Sequence, residues 1–333
     1  MSGRWFPMWI AVLVLVISCG SPARSGELTK VKCSEAVRGF FFVPLYLAHG
    51  LGVFQKQGLE VEIISAQGGP AAMQALAAGQ VEFCATGHGQ VANMFAKGKS
   101  TKIVNLMQDK CTFSLVGRPE IKGIAALKGK AIGCTLIGAE TYAVGRFLAR
   151  KAGLDPEKDV TLVAVGGMAT MASALENDRV QAVMSWQPLT LKLLQEGKGV
   201  MLASLNTAAN SEKHFGSPAY SFSVLQVTDE LIKQRPELVR QFVRALVEAE
   251  KWIASHSADE IAKVVTPYFS GMTQEIVAAS VEGDRDAFSS TGIVTKEGHE
   301  TAVKIFMDAG VFTTPVPFEG IVDNSFSEKA GRK

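Results

Sequence analysis

The sequence predicts an α/β fold of two lobes, each a doubly wound, mostly parallel sheet with helices, joined by two crossovers that serve as a hinge. Three observations carry this expectation. Residues 31–109 and residues 126–188 each run strand, turn, helix, strand, turn, helix, strand, and strands alternating with helices pair in parallel through right-handed crossovers. Between the two runs, Thr112-Phe113-Ser114-Leu115-Val116 is extended and leads into Pro119, where the chain changes unit. A strand at 220–227 then returns, and the chain beyond it is helical. The expected division is 1–26 as leader and linker, 27–114 with 220–333 as a discontinuous first lobe, and 115–219 as the second, with the hinge near 112–119 and 215–222.

Taken in order, the chain opens with Arg4 ahead of an apolar run at 9–17, followed by Ser18-Cys19-Gly20-Ser21-Pro22. That run is short for a bilayer-spanning helix and suits the core of a signal peptide. Val16-Ile17-Ser18-Cys19 resembles the bacterial lipobox, in which the cysteine takes the lipid. Export is expected, to the periplasm or the outer side of the cytoplasmic membrane, with the chain held by a lipid anchor on Cys19; simple cleavage of the leader is the alternative. No later apolar run approaches spanning length.

A first strand at 31–33 leads through a loop to three successive phenylalanines, Phe40, Phe41 and Phe42. Pro44 then suits a helix start, since proline is tolerated in the first turn. The strand at 61–64 ends in Gln67-Gly68-Gly69-Pro70, and the alanine-rich helix 71–78 is closed by Gly79. The strand 81–85 ends in Thr86-Gly87-His88-Gly89 before a short helix, and a fourth strand follows at 103–107. The second unit places strands at 131–135, 160–165 and 180–185, with helices at 139–152 and 168–177 between them. A helix at 192–199 and a strand at 200–204 complete it. In the helical return, 237–255 puts Leu238, Phe242, Leu246 and Ala249 on one face with charges opposite. Further helices are expected near 258–265, 273–288 and 297–309.

The 333 residues have apolar content for two real cores, and a net charge of +2 with interspersed signs gives no argument for a nucleic-acid partner. Cys33, Cys84, Cys111 and Cys134 lie scattered in apolar surroundings without metal-ligand spacing, so no metal is expected. They read as buried free thiols, with one disulfide the alternative in an oxidising compartment. No G-x-S-x-G elbow, H-E-x-x-H pair or Walker loop occurs, and no cofactor is expected. Gly87-x-Gly89-x-x-Ala92 with Asp109 mimics a dinucleotide fingerprint, but it falls in the third β-α unit, before a short helix.

Ligands of open parallel sheets gather beyond the carboxyl ends of the strands, and unpaired N–H groups at helix starts suit anions. The candidate ligand residues therefore sit at strand ends: Gln67, Gly68 and Gly69; Thr86, Gly87 and His88; Thr135, Gly138, Glu140 and Thr141; and Trp186 with Gln187. Phe40 and Phe41 are candidates to face the cleft from the end of the first strand, and Arg38 to pair with an acidic ligand. Glu140 cuts across an anion reading, because a carboxylate facing the cleft favours an amine or ring N–H. Truncating Trp186 to Ala is expected to weaken binding more than it lowers the melting temperature.

Five stretches carry a family resemblance. They are Pro44-Leu45-Tyr46-Leu47-Ala48 with Gly52-Val53-Phe54 and Gly58-Leu59-Glu60-Val61; Ala75-Leu76-Ala77-Ala78-Gly79-Gln80-Val81-Glu82-Phe83; Leu127-Lys128-Gly129-Lys130 with Ile132-Gly133; Gly153-Leu154-Asp155-Pro156 through Trp186-Gln187-Pro188; and Arg235-Pro236-Glu237-Leu238-Val239 with Phe242. In this order, over about 31–255, they resemble the bacterial periplasmic solute-binding proteins of the nitrate, sulfonate, taurine and thiamin-precursor group. The resemblance implies a two-lobed, type II-like periplasmic binding protein. It implies a non-enzymatic monomer that closes on a small-molecule ligand and delivers it to the permease and ATPase subunits of an ABC importer. A small organic anion, sulfonate- or carboxylate-like, is the first expectation for the cargo, and a pyrimidine thiamin precursor or aromatic compound the second. An enzyme of the related pyrimidine-synthase kind is the competing class, although those synthases carry a dense cysteine cluster that the scattered cysteines here do not reproduce. Asn177-Asp178-Arg179 stands where the family usually has a glycine-containing turn, and Leu136-Ile137-Gly138 is more apolar than the stretch common where sulfonates bind.

Overall fold

The structure, a computed structural model, describes residues 1–3 and 27–332. Cys19 and the rest of the expected leader lie outside the described residues. The first unit runs β1 (Thr29–Glu35), α1 (Val43–Gly50), α2 (Val53–Lys56), β2 (Leu59–Ser65), α3 (Gly69–Ala77), β3 (Phe83–Gly87), α4 (His88–Ala96) and β4 (Thr101–Gln108). The second runs β5 (Ser114–Gly117), β6 (Lys130–Cys134), α5 (Glu140–Lys151), β7 (Val160–Ala164), α6 (Met168–Glu176), β8 (Ala182–Ser185), α7 (Leu189–Gln195), β9 (Val200–Ser204) and α8 (Ala208–Phe215). The return comprises β10 (Ser223–Thr228), α9 (Asp229–Gln234), α10 (Pro236–Ser255), α11 (Ala258–Val265), α12 (Gln274–Asp284), α13 (Lys296–Asp308), α14 (Phe318–Ile321) and α15 (Ser325–Gly331).

The strands form two sheets, ordered β2-β1-β3-β10-β4 and β7-β6-β8-β5-β9. In the first, β1 pairs in parallel with β2 and β3, while β10 is antiparallel to β3 and β4. In the second, β6 is parallel to β7 and β8, while β5 is antiparallel to β8 and β9. Each sheet is thus mostly parallel, and its antiparallel member is the strand by which the chain enters from the other lobe. The two crossovers lie side by side: Tyr220 N–H donates to Asp109 O at 3.0 Å and Phe222 N–H to Gln108 O at 3.0 Å.

The apolar face read for the long return helix is the one that α10 buries. Leu238, Phe242, Leu246 and Ala249 are all buried, and Phe242 stacks on Phe83 of β3 at 4.0 Å between ring centroids. Pro236 opens the helix, where its missing N–H costs nothing. A capping box at Ser257 and Glu260 starts α11, satisfying two otherwise unpaired donors. The C-terminal helices also reach the second lobe: Arg146 Nε on α5 donates to Ala309 O, at the end of α13, at 2.8 Å. Asn206 Nδ2, just after β9, donates to Gly283 O on α12 at 3.0 Å. Helix α8 and the two short helices α14 and α15 are additions to the expected element order.

The turn before β8 keeps a glycine-like shape without glycine. Asp178 takes φ of 59°, the left-handed region that Asn and Asp enter more readily than other non-glycine residues. All four cysteines from Cys33 to Cys134 are buried free thiols. Among the described residues no helix is long and apolar enough to cross a membrane.

Candidate functional site

The carboxyl ends of β1, β3, β6 and β8 face one another across the gap between the lobes. There they enclose a cavity of about 30 Å³, room for about one water molecule. Its lining includes nine of the expected residues: Phe41, Gly68, Gly69, Thr86, Gly87, Thr135, Glu140, Thr141 and Trp186. Small-molecule pockets occupy roughly 300–1,000 Å³, so an organic solute enters this cleft only with the lobes further apart. A wider groove of about 730 Å³, lined by both lobes, opens alongside; Arg38 and Gln67 belong to it.

Five aromatic rings, Phe41, Phe42, Phe113, Trp186 and Phe222, stand in the wall. Phe41 meets Phe42 edge-on at 4.7 Å, Phe222 at 5.6 Å and Phe113 at 5.8 Å, and lies tilted against Trp186 at 5.7 Å. Trp186 Nε1 in the second lobe donates to Arg38 O in the first at 3.2 Å. Gln90 Nε2 on α4 donates to Gly138 O at 2.8 Å across the same gap. Thr135 and Thr141 bond to each other, hydroxyl to hydroxyl, at 2.9 Å. Thr86 Oγ1 is buried and has no hydrogen-bond partner among the described residues.

Among the described residues Glu140 is the one charged side chain in the lining. Tyr220 OH donates to its Oε1 at 2.6 Å, while Oε2 is buried without a geometrically satisfactory partner among the described residues. Burial pushes the carboxyl up to about 8, a rise that the Tyr220 hydroxyl and the N–H groups of Gly89 and Gln90 partly offset. Gly87 makes room for this group: a Cβ there would lie 2.2 Å from Glu140 Oε2.

Six expected ligand residues lie outside this lining: Gln67 faces the neighbouring groove, and the other five are held for local reasons. Phe40 packs in the core against Phe269 at 4.8 Å. His88 is fully buried, its Nε2 2.9 Å from His299 Nδ1, while His299 Nε2 lies 2.8 Å from Val316 O. Burial depresses both rings, keeping them neutral. Gln187 turns its Oε1 to accept from Leu191 N–H at 3.2 Å, satisfying the first turn of α7. Arg38 is engaged by Glu35, Nε to Oε1 at 3.0 Å, and lies 4.9 Å over the Tyr46 ring. Gly138 contributes its carbonyl to the interlobe bond rather than a surface of the cavity.

The cavity also has members that strand-end reasoning passes over, chiefly Gln90, Phe113, Phe222 and Ser223. Phe113 and Phe222 sit on the two crossovers, and any residue there lies between the lobes. That signal was available in the sequence. For Gln90, inside a helix, there was none.

A model of the family described as NMT1/THI5 like matches residues 40–260. Two proteins of Bacillus subtilis strain 168 match nearly end to end. YtlA, provisionally named a binding protein, is 23% identical over 336 residues, 98% of this chain and 98% of its own. The other, provisionally named an aliphatic sulfonates-binding protein, is 26% identical over 331 residues, 96% of this chain and 95% of its own. The structure of the alkanesulfonate-binding protein SsuA from Xanthomonas axonopodis pv. citri, bound to MOPS, superposes with a TM-score of 0.73 at 15% identity, covering 90% of this chain and 99% of that one. A shorter match is to the 4-amino-5-hydroxymethyl-2-methylpyrimidine phosphate synthase THI11 of Saccharomyces cerevisiae, 24% identical over 233 residues, 64% of this chain and 63% of its own.

Proposed function

The chain belongs to the NMT1/THI5-like family, and from that membership we propose that it is the extracytoplasmic solute receptor of an ABC importer, taking a flat, ring-bearing solute that offers an N–H to Glu140. Its fold is that of the two-lobed periplasmic binding proteins. The observation that carries the ligand class is the lining itself. Five aromatic rings line the cavity with a single carboxyl, and among the described residues no Lys or Arg side chain joins them. A pyrimidine of the kind named for the yeast relative fits that chemistry. The second reading, a sulfonate or carboxylate, is favoured by the name of one Bacillus relative and by the helix starts of α3, α4 and α5 at the cleft, whose N–H groups suit an anion. In both readings the solute is carried and not converted, and it passes to permease and ATPase partners.

Native mass spectrometry of the purified chain tests the receptor directly, since a retained small molecule names the cargo. Melting curves then separate the classes. A ligand at about one hundred times its Kd stabilises the folded state by about 2.7 kcal/mol. 4-Amino-5-hydroxymethyl-2-methylpyrimidine is expected to raise the melting temperature, and MOPS is not. The opposite pattern reverses the ligand class, and turnover or a pyridoxal-sized bound mass overturns the receptor.

The anchor is proposed at Cys19. With Cys19→Ser the protein is expected to leave the membrane fraction, and unchanged fractionation removes the lipid from the account.

A further inference from the structure

Tyr220 is fully buried, and its backbone is fastened into the paired crossovers by the bond from its N–H to Asp109 O at 3.0 Å. Its hydroxyl reaches Oε1 of Glu140 at 2.6 Å, the one hydrogen bond that this hydroxyl makes among the described residues. A proton on Oε1 itself would make that oxygen a poorer acceptor for the buried phenol hydrogen, a cost that favours the other arrangement. The acid's own proton, when present, therefore belongs on Oε2, the oxygen beside Gly87 in the cleft lining.

We propose that Tyr220 is a positioning residue for solute recognition: it holds Oε1 of Glu140, turns Oε2 to the solute, and so ties the crossover to whatever that oxygen meets. The proposal rests on Glu140 being a group that the solute contacts, as proposed above. In the neutral acid Oε2 donates to a ring nitrogen or an oxygen; in the carboxylate it accepts from an N–H. Because burial pushes this carboxyl up to about 8, both forms are within reach near neutral pH.

The neighbouring titratable groups are few. Cys111, after β4, and Asp284, on α12, are in electrostatic reach of one another and Cys111 of Glu140; burial pushes both up, Asp284 to about 7. His88, in the first turn of α4 beside Gly87 and Gly89, stays neutral against His299. On α5 itself Arg146 is turned away, to Ala309 O and Glu157.

The test is a carbon-13 NMR titration of the full chain labelled at Glu Cδ and Tyr Cζ, without added solute, with Glu140→Gln assigning the Glu140 signal. Glu140 Cδ and Tyr220 Cζ are expected to move with one midpoint. Tyr220→Phe, which removes a donor favouring the charged form, is expected to raise the Glu140 midpoint by about one pH unit, a tenfold change in its ionisation constant. A flat Tyr220 signal while Glu140 titrates, or an unmoved midpoint in Tyr220→Phe, overturns the proposal. The first of these arms needs only the wild-type chain. Addition of 4-amino-5-hydroxymethyl-2-methylpyrimidine should then shift Tyr220 Cζ in the wild type and leave it still in Glu140→Gln. A joint titration that neither this probe nor MOPS disturbs supports the hold of Tyr220 on Glu140 and overturns the ligand role given to Glu140.

Discussion

Trp186→Ala is expected to lower solute affinity and to destabilise the protein before any solute is added. The ring is fully buried, packed on Phe41 and near Phe113 at 5.7 and 6.1 Å between centroids, and its Nε1 closes the gap to Arg38 O. Truncating a buried tryptophan costs about 3–5 kcal/mol. Much of that surface belongs to the contact between lobes, so the closed form bears more of the loss than an open one. The sequence-based expectation, that its removal weakens binding more than it lowers the melting temperature, is thus extended to a substantial fall in both. Trp186→Phe isolates the interlobe hydrogen bond, at about 1 kcal/mol or roughly fivefold in Kd. Calorimetric binding and urea unfolding measure the two quantities. Wild-type affinity in Trp186→Ala would remove this ring from the site.

Gly87→Ala is the second large effect, and it acts without touching the backbone. Gly87 has φ of −80° and ψ of 146°, an ordinary extended conformation open to any residue. The added methyl would instead stand 2.2 Å from Glu140 Oε2 and 2.6 Å from its Cδ. Either the carboxyl leaves Tyr220 or the lobes stay apart. Losing a hydrogen bond to an ionisable group costs about 1.5–3 kcal/mol, so affinity should fall roughly ten- to a hundredfold. The denaturation midpoint of the solute-free protein should fall as well, because the bond to Tyr220 is made without solute, and small-angle scattering with solute present should show a larger radius of gyration than wild type. Tight binding with normal compaction would mean that Glu140 has another place to go at no cost.

What could be read from the sequence was whatever depends on local period and punctuation. The alternation of strand and helix and the apolar face at Leu238, Phe242, Leu246 and Ala249 both have short-range causes, whereas the change of unit comes between Gln108 and Ser114, ahead of the expected Pro119. Helix α8 escaped because Ala208-Ala209-Asn210-Ser211-Glu212-Lys213-His214 is nearly all small or polar; it holds through a Thr207 cap and the burial of Ser211 and Phe215. The three phenylalanines showed aromatic character but not direction. A short 3₁₀ turn at Phe40–Phe42 sends one ring to Phe269 and another into the cleft, and no local pattern encodes that division. His88 escaped for a related reason: the ring that holds it is 211 positions further along the chain. Strand ends locate a cleft, but remote partners decide which side chains enter it.

The placement of β10 between β3 and β4 bears on the order in which the molecule can assemble. β3 and β4 are complete by Gln108, yet the strand that joins them begins only at Ser223. Everything between must be made and brought around before β4 can be joined to the rest of the first sheet. The second sheet, by contrast, draws all its strands from one unbroken segment, Ser114 to Ser204. Contacts distant in sequence form late, because loop closure must precede them. As the chain is made, the later half of the cleft is thus expected to acquire its shape earlier, with the lobe that starts the chain finishing last.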